Sequence, residues 1–585
     1  AVRLAQWIAD YYLSFFLTAL RLVMPPGSRR REKRKTIAKS TSPGVTRNET
    51  PLATALRLTP EQGAALEKIT KALDGNQAKT FLLHGITGSG KTEVYMQALA
   101  HLLPRGKGAI VLVPEISLTP QLVQRFGDRF GGRIAVVHSG LTEKQRADSW
   151  RRISAGEAPI VLGARSAIFA PVRDLGLIVI DEEYEHTYKS DKSPRYHTRE
   201  VADKLAELYN AVVILGSATP SLETYYRAEN GTYEKLVLPK RIDDRPLPPV
   251  QIVDLRAEMK AGNFGVLSGL LRQELQQTLE KGEQAILFMN RLGYFTFVIC
   301  RECGLTVECP QCSVSLVYHT TDKKLRCGRC GYSTAAPRLC PRCQSAAIKY
   351  FGTGTQRIED EVAAIYPAAR ILRYDRDSVG ESSHEEFFAT FADGKADVLI
   401  GTQMVAKGLD IANVTLVGVI SADTALSLPD FRAGEHTFQL LTQVAGRAGR
   451  HNLPGRVVIQ TYNPEHYAIK AAAKHDYEAF YRQEIEHRRE LNYPPFSRLI
   501  SLLIVGVEEK KVNKIADELA GVLRRRVTGG VLGPAPSPIA RLRGEWRYRL
   551  LLKNVPAAAV SETLKQAIIP DDIKVTVDID PMSLL

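Results

Sequence analysis

The stretch from Gly85 to Thr92, GITGSGKT, restricts the fold of this chain more than any other feature. It has the spacing G-x-x-x-x-G-K-T, whose glycines let the backbone curl so that its N–H groups point at phosphate oxygens. The apolar run Thr80 to Leu83 precedes it, and residues Glu93 to Leu103 have helix-forming composition. The loop is therefore predicted to join a buried strand to a helix, as phosphate binding requires, and the alternative is a chance match. We expect the nucleotide to contact Gly85, Thr87, Gly88, Ser89, Gly90, Lys91 and Thr92.

A second motif places acidic residues at the end of a predicted strand. Leu175 to Ile180 is a nearly continuous apolar run, typical of a strand buried on both faces of a parallel sheet, and Asp181-Glu182-Glu183 follows it. We expect Asp181 and Thr92 to bind Mg²⁺, and Glu182 to orient or deprotonate the attacking water. The alternative is an acidic strand end without a catalytic role. With Lys91 at the phosphates, the two motifs predict an ATPase that uses Mg²⁺.

Length and charge restrict the class of protein. The chain has 585 residues, 44% of them hydrophobic, which predicts several domains with cores of their own. Its formal net charge of +14 favours a polyanionic partner. Because no run of about 18 apolar residues occurs, nucleic acid is a better candidate than a membrane, and we expect a cytoplasmic protein.

The region before the phosphate loop contains a predicted linker and a helix start. Ala1 to Leu20 resembles the end of a domain, and Arg29 to Lys35 has six basic residues in seven. We predict a flexible basic linker there, with a DNA-gripping arm as the alternative. Thr59 and Gln62 have the spacing of a capping box at a helix N-terminus. Gln62 could also bind the adenine edge of the nucleotide.

Two regions alternate predicted strands and helices, one from Leu58 to about Lys240 and one from about Gln284 to Thr461. We expect each to form a lobe with a parallel sheet. Only the first has a phosphate loop, so the nucleotide is predicted to lie in the cleft between the lobes. The second lobe would then supply residues that act on the γ-phosphate, and the candidates are Gln443, Arg447 and Arg450. Arg447 and Arg450 are spaced to share one helical face, although both could simply be solvent-exposed.

All eight cysteines lie in four C-x-x-C pairs. They are Cys300, Cys303, Cys309, Cys312, Cys327, Cys330, Cys340 and Cys343. Two such pairs form one tetrahedral zinc site, so the set predicts two closed structural Zn²⁺ sites. Disulfides are the alternative. The spacing between the pairs does not decide which pair joins which.

The chain resembles the superfamily 2 helicases in the order of four motifs, which are GITGSGKT, DEE, GSATP and QVAGRAGR. With the cysteine block added, it resembles the bacterial PriA (primosomal protein N′) family of replication-restart helicases among them. The resemblance covers about Leu58 to Leu585. It implies two RecA-like lobes, a double-zinc insertion in the second lobe with nested pairing of the cysteines, and a smaller α+β C-terminal domain. It also implies ATP-driven 3′-to-5′ unwinding of DNA at stalled forks, primosome loading, and contact with primosome proteins and single-stranded DNA-binding protein. The predicted segments are 1–57 (remnant of an N-terminal DNA-binding region and linker), 58–240 (first lobe), 241–297 (start of the second lobe), 298–350 (zinc module), 351–475 (rest of the second lobe) and 476–585 (C-terminal DNA-binding domain).

Aromatic residues interleaved with basic ones suit base stacking combined with phosphate contact. On this pattern and the resemblance, we expect Arg165, Tyr188, Lys189, Arg195, Tyr196, Arg541, Arg543 and Trp546 to contact DNA. An ordinary surface loop is the alternative for Tyr188 to Arg199. The alternation of Trp546, Tyr548 and Leu550 with arginines fits a two-faced strand equally well.

The chain departs from the family pattern in two places. Tyr184 replaces the family's histidine after DEE, which puts the coupling of ATP and DNA binding in doubt. About thirty residues separate Pro26 from Leu58, so we expect most of the family's N-terminal DNA-binding region to be missing and fork preference to be weak. Two other functions share parts of the pattern, namely a duplex DNA translocase that does not separate strands and an ATP-independent primosome scaffold.

Overall fold

The computed structural model describes residues 1–24, 56–242, 245–289, 298–310, 314–319, 324–327, 330–350, 355–374, 384–402, 411, 413–449 and 453–584. The predicted basic linker lies outside these residues. The chain divides into two compact units, Ala1–Arg245 and Pro246–Leu585. Within the described part of the chain, no helix has the length and apolar character needed to span a membrane.

The first unit is built on one parallel sheet. Its strands β1 to β7 are Lys79–Gly85, Gly108–Leu112, Ile134–Val137, Ile160–Gly163, Leu175–Asp181, Val212–Ser217 and Glu234–Leu238. Its helices α1 to α8 are Val2–Tyr11, Phe16–Val23, Pro60–Asp74, Lys91–Leu102, Pro120–Phe130, Glu143–Ala155, Thr198–Tyr209 and Leu222–Glu229. The strand order is β3-β4-β2-β5-β6-β1-β7. The central strands are buried throughout because their sequences are almost wholly apolar, which confirms the predicted parallel sheet.

The register of three neighbouring strands creates the site. β6 lies between β1 and β5, and it pairs in parallel with both. Asp181 is opposite Gly216, and His84 is opposite Ser217. The phosphate loop, the acidic motif and the GSATP motif therefore leave the sheet side by side at its carboxyl edge, where open parallel sheets bind ligands.

The second unit contains a parallel sheet, short antiparallel sheets in its cysteine-rich part and an antiparallel sheet in its C-terminal part. Its strands β8 to β22 are Val250–Asp254, Gln284–Phe288, Val298–Cys300, Val317–His319, Lys324–Arg326, Ser333–Ala335, Ile348–Tyr350, Ile371–Tyr374, Val398–Gly401, Val414–Val419, Arg456–Thr461, Leu499–Gly506, Gly530–Leu542, Glu545–Lys553 and Ile573–Ile579. Its helices α9 to α18 are Leu255–Lys260, Gly269–Glu280, Thr355–Ile365, His384–Ala392, Asp423–Leu426, Ala433–Ala445, Tyr467–Ala473, Tyr477–Glu490, Glu509–Arg526 and Ala557–Gln566. A six-stranded parallel sheet has the order β15-β16-β9-β17-β18-β8. This sheet confirms the predicted second lobe.

Two smaller parts complete the unit. The cysteine-rich part forms short antiparallel sheets, β10-β14 and β11-β12-β13. The C-terminal part is an antiparallel sheet, β20-β21-β19-β22, whose elements follow the order β-α-β-β-α-β of a ferredoxin-like fold. Strand β21 pairs on both sides and buries Tyr548 and Leu550, so the alternating pattern belongs to a strand, one of the two interpretations left open above.

Candidate functional site

The phosphate loop has the backbone that its glycines predict. Gly88 and Gly90 adopt φ of 84° and 78°, values that favour glycine. A Cβ on Gly90 would also lie 2.3 Å from Gln62 Nε2, so a side chain is excluded there for two reasons. Lys91 is the first residue of α4, is almost fully buried, and donates from Nζ to the Gly85 carbonyl at 2.7 Å. Its ammonium group has three donors, so further N–H groups remain for a phosphate.

Gln62 holds the loop through both ends of its amide. Its Oε1 accepts from the Thr59 N–H at 2.9 Å, and the Thr59 hydroxyl accepts from the Gln62 N–H at 3.3 Å, which confirms the predicted capping box. Its Nε2 donates to the Ser89 carbonyl at 2.8 Å. The side chain thus ties the start of α3 to the phosphate loop. Adenine contact by Gln62 stays a prediction.

Residues after β7 also hold the loop, and sequence reasoning missed them. The Ile242 N–H donates to the Gly88 carbonyl at 3.2 Å, and Arg241 Nε donates to the Thr87 carbonyl at 3.3 Å. These residues lie more than 150 positions from the loop in sequence. No motif marks them, because the Ile242 hydrogen bond is made by the backbone and places no demand on residue type, and a single arginine so far from the loop in sequence is no signal.

Asp181 ends β5 and is held by two buried tyrosines. The Tyr95 hydroxyl donates to Asp181 Oδ1 at 3.0 Å, and the Tyr188 hydroxyl donates to the Asp181 carbonyl at 2.8 Å. Burial raises the pKa of Asp181, while the Lys91 charge and the Tyr95 hydrogen bond oppose that rise. A carboxylate here and the Thr92 hydroxyl on α4 are hard oxygen ligands of the kind that Mg²⁺ prefers, so the donor set fits the predicted metal.

The two glutamates that follow have different surroundings. Glu182 is half-buried and has a φ of 48°, an uncommon value for a residue with a side chain. The Glu183 side chain is fully buried and accepts from the Ser221 N–H at 2.6 Å, the Ser221 hydroxyl at 3.1 Å and the Thr224 hydroxyl at 2.8 Å. Arg199 lies 3.6 Å from the same carboxylate. Glu183 therefore joins the acidic motif to the residues that follow the GSATP motif.

The loop from Tyr188 to Arg199, whose aromatic and basic residues were expected to contact DNA, buries its two candidate tyrosines. DNA contact by Tyr188 and Tyr196 stays a prediction, but the two side chains are 1% and 4% exposed, so in this structure neither ring offers a face to a base. The reason is local packing, because Tyr188 bonds to Asp181 and Tyr196 contacts the Phe169 ring edge-on at 5.0 Å. The pattern of residue types could not show which way the rings point.

The basic residues predicted beside these tyrosines have mixed surroundings. Lys189 is also buried, with its Nζ 5.4 Å from the centre of the Tyr12 ring, and the Tyr12 hydroxyl accepts from the His197 N–H at 2.9 Å. Arg165 donates to the Thr187 carbonyl at 2.9 Å and to the Lys189 carbonyl, so its side chain stabilises the backbone of the loop. Arg195 is half-buried. Contact of these basic residues with DNA stays a prediction.

The C-terminal residues predicted to contact DNA lie at the tip of the β20–β21 hairpin. Arg541 and Arg543 are exposed, and the Arg541 guanidinium is 5.5 Å from the Trp546 ring. This tip presents cations and one aromatic ring to solvent. DNA contact here also stays a prediction.

The second-lobe candidates lie at the end of α14. Gln443 is in the last turn of this helix, which ends at Ala445. Arg447 lies in the turn that follows the helix and is half-buried. The helical face that Arg447 and Arg450 were expected to share stays a prediction. Arg450 lies outside the described residues. The catalytic roles of Gln443, Arg447 and Arg450 stay predictions.

The cysteines come together in two groups. Cys300, Cys303, Cys340 and Cys343 form one, and Cys309, Cys327 and Cys330 form the other, with the sulfur atoms of each group within 4.8 Å of one another. Cys312 lies outside the described residues. The Sγ–Sγ distances Cys300–Cys343, Cys303–Cys340 and Cys309–Cys330 are 3.6, 3.5 and 3.6 Å.

These distances identify the chemistry of the two groups. Four thiolates at about 2.3 Å from one zinc ion lie about 3.8 Å apart, so the donor sets fit zinc. The described cysteines are free thiols, which argues against disulfides. The grouping joins outer pairs to outer pairs and inner to inner, and it confirms the nested arrangement for the described cysteines.

A parallel-sheet lobe with a phosphate loop and an acidic strand end, joined in one chain to a second parallel-sheet lobe, defines a P-loop ATPase of the two-lobed helicase class. The DEAD/DEAH box helicase family matches residues 59–228, and the helicase conserved C-terminal domain matches residues 347–452. The PriA DNA helicase Cys-rich region domain matches residues 309–334, and the primosomal protein N C-terminal domain matches residues 489–582. RecG bound to a three-way DNA junction is a similar solved structure, with a TM-score of 0.43 and 15% identity over 74% of this chain and 50% of that chain.

Curated relatives narrow the class further. Replication restart protein PriA of Treponema pallidum (strain Nichols) is 40% identical over 588 residues, which cover 99% of this chain and 87% of that protein. PriA of Bacillus subtilis (strain 168) is 51% identical over 514 residues and 87% of this chain. The chain belongs to the PriA family of replication restart proteins, as its motifs predict. It spans 64% and 65% of the length of the PriA proteins of B. subtilis and Synechocystis sp..

Proposed function

We propose that this chain is an ATP-dependent DNA helicase that moves 3′ to 5′ and acts at stalled or collapsed replication forks, where it restarts replication and loads the primosome. The observation that carries the proposal is the position of Asp181 beside the phosphate loop: its Oδ1 accepts at 3.0 Å from Tyr95 on the helix that begins with Lys91, and the Lys91 charge opposes the rise in the pKa of that carboxyl that burial causes. A scaffold that needs no ATP has no use for this pairing of buried charges.

Each residue of the site has a role in hydrolysis. When bound, ATP with Mg²⁺ supplies the phosphoryl group that passes to water. The loop N–H groups and Lys91 hold the phosphates, and Asp181 and Thr92 hold the metal. Glu182 takes up the proton of the attacking water, and Gln443, Arg447 and Arg450 stabilise the charge that develops on the γ-phosphate.

The rest of the chain handles DNA and partners. The charge of +14 favours a polyanion, and the exposed Arg541 and Arg543 with the half-buried Trp546 combine the phosphate and base contacts that single strands use. Two zinc ions hold the cysteine-rich part, where the ligands Cys300, Cys309, Cys327 and Cys340 are themselves buried in the small apolar cluster that its short strands form. Primosome proteins and single-stranded DNA-binding protein are the proposed partners.

The experiment is a strand-displacement assay on duplexes with a 3′ or a 5′ single-stranded tail, with and without ATP. We expect displacement only with ATP and with the 3′ tail. Lys91→Ala and Glu182→Gln should abolish displacement and ATP hydrolysis while DNA binding persists, because the DNA contacts lie elsewhere. Glu157→Gln, which changes an exposed carboxylate of the same unit, is the control.

The two other functions give different results in the same assay. Hydrolysis that DNA stimulates, without strand displacement on either tail, would indicate a duplex translocase. A wild-type chain that binds DNA and hydrolyses no ATP would indicate a scaffold. Either result would refute the proposed helicase function.

A further inference from the structure

Tyr95 lies one turn after the phosphate-loop lysine, on the same face of α4 as Lys91. Its side chain is 1% exposed, and its hydroxyl donates to Asp181 Oδ1 at 3.0 Å. The helix that presents Lys91 to the phosphates thus also contacts the acidic residue of β5.

Gly216 on the neighbouring strand leaves the space that this hydroxyl occupies. Gly216 is opposite Asp181 in the sheet. A Cβ at Gly216 would lie 1.6 Å from the Tyr95 hydroxyl oxygen and 3.3 Å from Asp181 Oδ1. Real Cβ atoms do not approach another atom as closely as the first distance, so any side chain here must displace the tyrosine. The glycine of the GSATP motif is therefore explained by the Tyr95–Asp181 hydrogen bond.

Asp181 is restrained at two points by these contacts. Tyr95 holds one carboxylate oxygen, and Tyr188 bonds to the main-chain carbonyl of the same residue at 2.8 Å. A ligand carboxylate that is held in this way loses little conformational freedom when it binds a cation, because its rotamer is already selected.

We propose that Tyr95 is a positioning residue for magnesium binding by Asp181, and that Gly216 makes this position possible. The inference rests on the proposed ATPase function and adds to it a residue outside the phosphate-loop and acidic motifs. Tyr95 does not touch the nucleotide in this role. It acts through Asp181 alone, which separates it from Lys91 on the same helix.

The test compares Tyr95→Phe with the wild-type chain in binding a fluorescent ADP analogue, in EDTA and across a Mg²⁺ titration. Loss of a partner that orients a metal ligand typically weakens metal binding about 10-fold to 100-fold. We expect the Kd of Tyr95→Phe for the analogue in EDTA to stay within about twofold of the wild-type value. Mg²⁺ should tighten analogue binding, and the Mg²⁺ concentration that gives half of this effect should be about 10-fold higher in Tyr95→Phe than in the wild-type chain. The phenylalanine ring keeps the packing, so the fold should persist.

Tyr225→Phe is the matched control. Tyr225 is also 1% exposed in the first unit, and its hydroxyl accepts from Lys235 Nζ at 3.0 Å. Its replacement should leave the Mg²⁺ dependence unchanged. Gly216→Ala should reproduce the Tyr95→Phe defect, and the double variant should be no worse in Mg²⁺ dependence than Gly216→Ala, because both changes remove one hydrogen bond.

Three outcomes would overturn the inference. They are a wild-type Mg²⁺ dependence in Tyr95→Phe, an equal loss of nucleotide affinity with and without Mg²⁺, and an effect of the same size in Tyr225→Phe. A wild-type chain that binds the ADP analogue equally well with and without Mg²⁺ would also overturn the inference, whereas a wild-type chain that does not bind the analogue at all would refute the proposed ATPase, so the two failures are distinguishable.

Discussion

Glutamine in place of Glu182 should impair a different property from glutamine in place of Glu183, although the two residues are neighbours. Glu183 accepts three hydrogen bonds in a fully buried position and lies 3.6 Å from Arg199. Burial raises the pKa of Glu183, and Arg199 with the Ser221 and Thr224 donors opposes that rise. Glu182 is only half-buried. We therefore expect Glu183→Gln to reduce stability and Glu182→Gln to reduce catalysis.

The size of the stability loss follows from the contacts. Removing one partner of a buried ion pair costs about 3–5 kcal/mol, and a hydrogen bond to a charged group contributes about 1.5–3 kcal/mol. Glutamine keeps one oxygen that can accept from the Ser221 N–H, but its amide N–H groups face the two hydroxyls. We expect Glu183→Gln to lower the free energy of unfolding by about 2–4 kcal/mol. Glu182→Gln should change it by less than about 0.5 kcal/mol.

Urea unfolding followed by tryptophan fluorescence measures this difference. The chain has three tryptophans, Trp7, Trp150 and Trp546, and a Trp546→Phe background leaves reporters only in the first unit. The prediction is a lower urea midpoint for Glu183→Gln, with ATP turnover retained under conditions where it is folded. For Glu182→Gln it is a wild-type midpoint with no turnover. A Glu183→Gln variant as stable as wild type, or turnover in Glu182→Gln, would refute this division of roles.

The remaining predictions concern zinc, pH and the phosphate loop. Metal analysis should give about two zinc ions per chain. Cys300→Ser and Cys309→Ser should each lower this zinc content by one ion, and disulfides that persist under reducing conditions would contradict the assignment. Burial lowers the pKa of His466 to about 4, so the unfolded chain takes up a proton first as the pH falls below about 6.5, and the free energy of unfolding should fall by up to about 2 kcal/mol at pH 5. His466→Asn, which can keep the helix cap, should lose that part of the pH dependence in thermal melts at pH 5 and 7; an unchanged dependence would contradict it. Gly90→Ala should abolish nucleotide binding in a fluorescence titration, because its φ is positive and its Cβ would meet Gln62; wild-type affinity would contradict this.

Several parts of this fold could be predicted because they depend on local pattern. The apolar runs of β5 and β6 mark strands buried on both faces, and the polar residues after them mark the edge where ligands bind. The C-x-x-C pairs identify zinc ligands by residue type alone. The pairing of those cysteines could not be derived in this way, because it depends on which strands of the module lie together.

Side-chain direction accounts for most of what could not be predicted. Tyr188 and Tyr196 have the residue types of a base-stacking loop, and only their packing shows that the rings point inward. Ser221, a partner of Glu183, is 38 positions away and follows another motif. Tyr95 lies four residues after Lys91, so its position on α4 could have been found, but its contact with Asp181 depends on the strand order.

ATP hydrolysis by the wild-type chain without DNA, with single-stranded DNA and with forked DNA tests the central claim most directly. The proposed function predicts slow turnover without DNA, a clear increase with either DNA, and no turnover in Lys91→Ala under any condition. Turnover that is unaffected by DNA, or that persists in Lys91→Ala, would contradict it.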